Sequence, residues 1–401
     1  MTGFFSKSLF ASTGAPVLAD APKCGLCGLY TKCKSPKLSI FGQGKRGILI
    51  VNQSPTAADD ETGAYLSGRT GYDLKQQFQA AGVDIEADCW YTTSTICRTS
   101  SPAPTTDQIQ WCRPSLIGHI KRLNPRIIIL LGRSAVQGAI GHLWKEDVGQ
   151  IDRWVGWSIP AREWNAWVCP LWHSSDFTGK TAEVQHTLQA RHLKNALALS
   201  GRPWDGKTIP DYASDVELVY DTAKAARILR KMVERGGRVA FDYETTSLNP
   251  SCRGAAIVCC SASWEGKKTI AFPWQGEAIK ATSELLLSPL GKIASNLKFE
   301  TRWTLAHLNH HVENWIWDTM LSAHTLNTVK GTASIKFQGF VLDGQPDYDA
   351  HVKPYLMSKG PSIPNRVREI PLEQLLTYCG IDSLLEFKVA QIQADLSGME
   401  L

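Results

Sequence analysis

No apolar run in this sequence reaches the ~18–20 residues that a bilayer-crossing helix needs. The amino terminus, Met1-Thr2-Gly3-Phe4-Phe5-Ser6-Lys7, has no long apolar core of the kind a secretory signal carries. Membrane-spanning and exported classes are excluded on this reading, and a cytoplasmic location is expected. Excess charge is scarce too: the formal net charge is +5, which permits nucleic-acid binding without demanding it. Cysteine, by contrast, is plentiful, with 11 residues. In a reducing compartment such thiols more often bind metal or fill cores than pair as disulfides. The 401 residues, 43% hydrophobic and 20% charged, have the size and composition of two ordinary globular domains.

The chain is organised around Val239-Ala240-Phe241-Asp242-Tyr243-Glu244-Thr245-Thr246-Ser247-Leu248. It begins apolar and β-prone and reaches two acids two residues apart. In a strand, residues i and i+2 face the same side, so Asp242 and Glu244 point together. Two ionised carboxylates repel unless a positive charge sits between them. Magnesium or manganese, which prefer oxygen ligands, are the natural partners. An exposed acid pair at a strand end is the bland alternative. Two later segments bear on the choice. Ser295-Asn296-Leu297-Lys298-Phe299-Glu300 puts an acid at the start of an expected helix, and Tyr378-Cys379-Gly380-Ile381-Asp382 puts a tyrosine and an acid at i and i+4, on one helix face.

These three ordered motifs, with Trp317-Asp318-Thr319-Met320-Leu321 between the second and third, resemble the proofreading 3′–5′ exonuclease domain of family-A DNA polymerases over residues 215–395. The resemblance implies a ribonuclease-H-like mixed sheet and a two-metal phosphodiester hydrolase. Asp242, Glu244, Glu300 and Asp382 would hold two Mg2+ or Mn2+ ions, and Tyr378 would orient the attacking water. Asn296 and Lys298 become candidates for DNA contact. The family's second motif normally ends in Asp, whereas Glu300 stands here. The extra methylene moves the carboxylate by ~1.5 Å, and misplacement on that scale can cost about 10²-fold in rate. A longer side chain can also fold back and reach a metal through water.

Upstream, after a short arm at 1–20, comes the C-x-x-C of Cys24-Gly25-Leu26-Cys27, with Cys97 and Cys112 further on. Alone, C-x-x-C suits a redox pair, a zinc pair or chance. Cys33, Cys89, Cys169, Cys252, Cys259, Cys260 and Cys379 are assigned to packing. Between the cysteines an α/β pattern runs. Strands are expected at Ile48 to Val51, Arg126 to Gly132 and Trp167 to Pro170. Helices are expected at Tyr72 to Ala81, after a cap at Thr105 or Thr106, at Ser134 to Ile140 and at Thr181 to Leu199. Strand–helix alternation of this kind argues for a parallel sheet.

The C-x-x-C, Cys97-Arg98, Cys112-Arg113-Pro114, Asn124-Pro125, Leu131-Gly132 and the Gly63 to Gly71 segment together resemble the family 4, iron–sulfur uracil-DNA glycosylases over residues 20–197. That resemblance implies a [4Fe–4S] cluster on Cys24, Cys27, Cys97 and Cys112; four thiolates suit a structural zinc equally well. It also exposes losses. The family's first motif has a carboxylate in a tight turn where Asn52-Gln53-Ser54-Pro55-Thr56 stands. Its stacking phenylalanine falls at Leu66 and its base-reading asparagine at Thr93. His173 persists, followed by Ser174-Ser175. A glycosylase must flip, hold and stack a base, so a fold without efficient uracil excision is expected. Asp59, Asp60 and Glu61 read as a solvated turn, although one could replace the missing acid. His173 is either a phosphate contact or a structural histidine. Arg98, Arg113, Lys121 and Arg126 flank the cysteines and offer a phosphate-binding surface or plain solubility.

Residues 200–214 read as a linker. A helix at Asp221 to Arg235 and strands at Ala255 to Ser263 and Lys268 to Phe272 follow, and 328–365 reads as irregular. Some phage polymerases carry a glycosylase-like domain before this same exonuclease, so the chain looks like the front of such a polymerase. The leading expectation is a 3′–5′ DNA exonuclease acting on a single-stranded 3′ end, proofreading in trans for a separate polymerase, in a bacterial host's cytoplasm if phage-encoded. A bifunctional uracil-removing repair enzyme and a non-catalytic DNA-binding polymerase accessory are the other readings.

Overall fold

The structure is a computed structural model, and it describes residues 22–177, 182–205, 209–360 and 363–401. The expected arm at 1–20, the helix start at Thr181, the linker residues 206–208 and Pro361 lie outside these. The described chain divides into two compact units. One holds the residues up to 205 together with 344–346, and the other holds 209–343 and 347–401.

The first unit is built on five strands: β1 (Ile48–Asn52), β2 (Cys89–Thr93), β3 (Ile127–Leu131), β4 (Ile159–Ala161) and β5 (Ala166–Leu171). Their order is β2-β1-β3-β5-β4. The first four in that order pair in parallel, and β4 closes the edge antiparallel to β5. The runs Ile48-Leu49-Ile50-Val51 and Ile127-Ile128-Ile129-Leu130 are buried throughout, as strands covered on both faces must be. The helix Thr106–Leu123 starts from a Thr105 capping box with Gln108. The sequence reading missed β2. Its Cys89-Trp90-Tyr91-Thr92-Thr93 has neither strict alternation nor an apolar run, and Cys89 stood there only as a packing residue.

The second unit is a six-stranded mixed sheet of β6 (Val216–Leu218), β7 (Arg238–Thr245), β8 (Ile257–Trp264), β9 (Lys268–Pro273), β10 (Gly291–Ala294) and β11 (Trp315–Asp318). The order is β11-β10-β7-β8-β9-β6. β7 lies inside the sheet, parallel to β10 and antiparallel to β8. The last helix, Leu372–Ser397, packs across β7, β8 and β9. From Leu375 to Phe387 every one of its residues is buried, including Thr377, Asp382, Ser383 and Glu386, so the stretch has no solvent-facing stripe. The segment read as irregular contains the helix Ile335–Asp343.

The described parts of residues 200–214 belong to one unit or the other, 200–205 to the first and 209–214 to the second. The Arg202 guanidinium donates to the carbonyls of Asn124, Pro125 and Asn165 at 2.8–3.2 Å. At the other end, Tyr212 is buried in the core of the second unit.

Close packing of the last helix depends on Gly380, where an added Cβ would lie 2.3 Å from Val216 Cγ1. Gly380→Ala is expected to destabilise the second unit by about 1–3 kcal/mol through overpacking, measured as a shift of its urea midpoint. An unchanged midpoint would show that β6 gives way freely.

Candidate functional site

Asp242 and Glu244 lie on β7 opposite Ser261 and Cys259 of β8. The last helix crosses at this point, fastened where Ser261 Oγ donates to the Cys379 carbonyl at 2.7 Å. Cys379 Sγ stands 3.7 Å from Asp242 Oδ2. Among the described residues, Asp242, Glu244 and Cys379 form the group whose ligand atoms lie within 4.8 Å of one another. Glu300 and Asp382 border this group rather than belonging to it.

Asp382 is already partnered. Its Oδ2 accepts from Lys336 Nζ at 2.5 Å and its Oδ1 accepts from the Tyr348 hydroxyl. The Lys336 ammonium also sits 4.9 Å from the centre of the Tyr378 ring. Glu386, one turn beyond Asp382, accepts from Ser295 N through Oε1, while its Oε2 is buried without a partner. Glu300 Oε2 is likewise buried and unpartnered, and both side chains are only 2% exposed. Two orphaned carboxylate oxygens beside a tight acidic pair are what a cation-binding site leaves when protein groups alone are counted. The residues therefore fit divalent ions. The fit is clearest at Asp242 and Glu244, whose ligand atoms lie closest together with Cys379, while the Lys336 hydrogen bond goes to Asp382.

The electrostatics follow from burial. Asp242 is pushed up to about 8, first by desolvation and then by the charge of Asp382. Glu244, Glu300 and Glu386 are held well above the ordinary carboxylate range, by burial first and then by Asp242. Burial alone would lower the Lys336 ammonium, but Asp382, Asp242 and Glu244 outweigh it and hold its proton on. Burial and the Asp382 charge keep the Tyr378 phenol protonated.

Lys336, Tyr348 and Glu386 were not found from the sequence. Glu386 continues the 378, 382 spacing by four, so a signal existed. Lys336 and Tyr348 arrive from the stretch read as irregular. Asp318 has a structural task. Its carboxylate accepts from Asn296 N and Leu297 N at 3.0 and 3.2 Å and from Met320 N and Leu321 N at 2.9 and 3.2 Å, capping two helices at once. Asn296 occupies the left-handed region at φ 67° ahead of the Glu300 helix, and Lys298 is exposed at its start.

In the first unit, Cys24, Cys27, Cys97 and Cys112 line one cleft with Tyr30 and Trp111. All four are free thiols. The C-x-x-C turn is tied to the helix bearing Cys112 by Lys23 N donating to the Trp111 carbonyl at 2.9 Å. Lys37 N donates to Cys97 Sγ at 3.3 Å, the type of contact that supports a ligating sulfur. Burial pushes Cys97 up to about 12 and Cys112 up to about 11. Bare, these thiols stay neutral, and a thiophilic centre would deprotonate them. The donor set fits a four-thiolate cluster or zinc. Cys33, assigned to packing, instead stands beside Cys97 as a half-buried fifth thiol.

The positions at which a base pocket was expected are turned inward. Thr93 Oγ1 donates to the Thr95 carbonyl at 2.8 Å and lies 3.0 Å from the Tyr65 hydroxyl. Asn52 Nδ2 donates to the Tyr91 hydroxyl, and Gln53 Oε1 accepts from Ser134 Oγ at 3.2 Å. Leu66 is 7% exposed with φ at 62°, a backbone conformation that costs a branched residue about 1–3 kcal/mol. The solvated-turn reading fails for Asp59 and Asp60, each 3% exposed. Asp59 closes a capping box with Thr56 and accepts from Ser67 N, while Asp60 accepts from Ser35 N. Only Glu61 is solvated, paired with Lys34. His173 Nδ1 accepts from Ser175 N at 3.1 Å, so its proton resides on Nε2, and burial lowers its pKa.

The arginines divide. Arg113 is no free phosphate fork: it donates to both Glu146 oxygens at 2.7 and 2.8 Å and to the Gly138 and Gln137 carbonyls. Arg126 donates to the Arg46 carbonyl and Lys121 faces Glu163 at 3.6 Å. Arg98 is 46% exposed, 3.7 Å from Asp60.

Residues 40–198 match the family model of the uracil DNA glycosylase superfamily, and residues 216–392 match that of the 3′–5′ exonuclease. The chain joins a uracil-DNA-glycosylase-superfamily domain to a 3′–5′ exonuclease domain. It is 34% identical over 112 residues to a type-4 uracil-DNA glycosylase of Pyrobaculum aerophilum, covering 27% of this chain and 55% of that protein. It is 25% identical over 323 residues to a DNA polymerase of Bacillus phage SP01, covering 70% of this chain and 33% of the polymerase. The chain thus spans about half of the one relative and a third of the other. Among solved structures, Escherichia coli RNase D aligns with 46% of each chain at 11% identity and TM-score 0.33. The catalytic core of RRP6 from Trypanosoma brucei aligns with 45% of this chain and 47% of its own at 16% identity and TM-score 0.33. No helix among the described residues is long and apolar enough to cross a membrane.

The buried acids predict a linked metal and pH dependence. Asp242 rises from 3.8 to about 8, so between those values the folded state holds a proton that the unfolded state has released. Metal-free stability therefore falls as pH rises through that window. Mn2+ should raise the melting temperature more at pH 8 than at pH 5, and at 100 times Kd its binding adds about 2.7 kcal/mol of stability. Asp242→Asn should raise metal-free stability at pH 8 and remove most of the Mn2+ increment. Calorimetric melting that ignores Mn2+ at both pH values would refute the site.

Proposed function

We propose that the chain is a metal-dependent 3′–5′ DNA exonuclease that proofreads in trans for a separate polymerase, its first domain serving as a DNA- or partner-holding module that no longer excises uracil. The observation that carries the nuclease reading is the tight pair Asp242 and Glu244 together with two buried, unpartnered carboxylate oxygens, Glu300 Oε2 and Glu386 Oε2, whose carboxyls feel the Asp242 charge. Asp242 and Glu244 would hold the divalent cation, with Glu300 and Asp382 at its margins. Bound there, such cations supply the charge that activates an attacking water and stabilises the departing oxygen. Tyr378, kept protonated, can donate to the water and orient it. Exposed Lys298, beside Asn296 at the helix start, is placed for a DNA phosphate.

Relatives support the substrate class. The phage protein matched across most of this chain is a DNA polymerase, and the glycosylases matched by the first domain act on uracil in DNA. The [4Fe–4S] cluster that the resemblance implies would occupy the cleft holding Cys24, Cys27, Cys97 and Cys112. The inward hydrogen bonds of Thr93 and Gln53 argue against the bifunctional repair reading, because a base would have to break them at roughly 1–3 kcal/mol each.

A 3′-labelled single strand should be shortened from its 3′ end with Mg2+ or Mn2+ and left intact with a chelator. Asp242→Ala should lower the rate at least ~10³-fold, and Glu300→Asp should change it by up to about 10²-fold, in the direction of faster cleavage if the shorter arm fits better. No cleavage with either ion would leave the non-catalytic reading. A U-containing duplex should release no free uracil. Cys112→Ser should abolish a broad absorbance near 400 nm; a colourless wild-type protein with one zinc per chain would replace the cluster by zinc.

A further inference from the structure

Lys336 lies where a cation is needed. It is carried by the helix Ile335–Asp343, whose Phe337 and Phe340 are buried. Gln338 Nε2 ties that helix to the Thr332 carbonyl at 2.7 Å, and Gln393 Nε2 of the last helix donates to Gln338 Oε1 at 3.2 Å. Gly339 lets Leu385 of the last helix approach to within 3.2 Å of where a Cβ would stand. The lysine therefore extends from a clamped backbone rather than a swinging loop. Its side chain is 19% exposed and that of Asp382 is 5% exposed. The ammonium is boxed by Asp382 Oδ2 at 2.5 Å and by the rings of Tyr378 and Tyr348 at 4.9 and 5.8 Å.

Both Asp382 oxygens accept from donors, one from this ammonium and one from the Tyr348 hydroxyl. A divalent ion on either oxygen would sit a few ångströms from the ammonium, where like charges repel strongly in a buried setting. Asp242 and Glu244, with Cys379, make the tight ligand group; the Lys336 charge reaches both, but its hydrogen bond and ion pair go to Asp382. We infer that Lys336 is a built-in cation standing in for the second divalent ion, so that this exonuclease site loads one ion, at Asp242 and Glu244, instead of two. The inference rests on the nuclease reading for its catalytic meaning, but the ion count can be measured without any turnover.

The test is calorimetric titration of the full chain with Mn2+, counting the sites that the double variant Asp242→Asn, Glu244→Gln abolishes. The wild type should bind one ion. Lys336→Met should bind two, because Asp382 Oδ2 is then released to an ion, and Lys336→Arg should stay at one. Circular dichroism and melting check that Lys336→Met is folded; if it is not, Lys336→Gln takes its place, with the same expected gain. A wild-type count of none or two, or a folded Lys336→Met or Lys336→Gln that still binds one, overturns the inference. Nuclease assays on the same samples separate it from the functional reading. One ion without any DNA cleavage sinks the exonuclease proposal alone, and cleavage with two ions sinks the lysine proposal alone.

Discussion

Placing Asp242, Glu244, Glu300, Asp382 and Glu386 in the interior of one unit is unfavourable by itself. Each carboxylate loses its hydration, and each feels the others across a medium that screens poorly. The fold tolerates the cluster because the ammonium of Lys336 stands inside it and because several of the acids keep their protons. Much of the second unit serves this arrangement. β7 supplies two acids from one face, the last helix supplies two more a turn apart, and the helix Ile335–Asp343 brings the counter-charge. Asp318 fixes the start of the helix carrying Glu300 by capping it, a positioning task that no reacting group needs to perform.

How much of this could be read from the sequence depended on how local the signal was. The 242, 244 alternation and the 378, 382 spacing are period-two and period-four patterns, and each survives without knowledge of the tertiary fold. Glu386 obeyed the same spacing and was passed over because no motif marked it. Lys336 and Tyr348 have no local signature at all. They lie 46 and 34 positions before Asp382 and meet it only after two helices have packed. Their segment also looked irregular, since its turn-forming residues hid the short helix between them. In the first unit, β2 was missed for a related reason: it is the edge strand, held by its ladder to β1 and by the Phe41–Tyr91 bridge, and those tertiary neighbours rather than its own alternation specify it.

The two sites show opposite relations between a motif and its use. At the exonuclease site the residue types persist while one partner, Lys336, is added from outside the motifs. In the first unit the sheet matches the glycosylase superfamily model, while the positions where a base pocket was expected are engaged within the protein. Thr93 and Gln53 now satisfy their hydrogen bonds within the protein, and Asp59 and Asp60, which might have been spare acids, are consumed by backbone N–H groups. Polar groups that are fully satisfied inside a fold have little reason to leave it for a ligand.

The four cysteines gather separate parts of the first unit at one cleft. Two of them lie on a short turn, one on the segment following β2 and one on a long helix, so whatever binds them crosslinks three parts of the chain that are distant in sequence. Closing loops of that length restrains the unfolded chain, and binding energy at a thiolate centre is folding energy. A domain held in this way can lose the side chains that read a base without losing its framework. The surface around the centre is then free to diverge, and Arg98 remains exposed there while Arg113 has been drawn into a structural bond with Glu146. Fold and site are separable in this protein because different residues maintain them: thiols and sheet packing keep the first unit together, whereas the acids of the second unit detract from its stability until a cation offsets them.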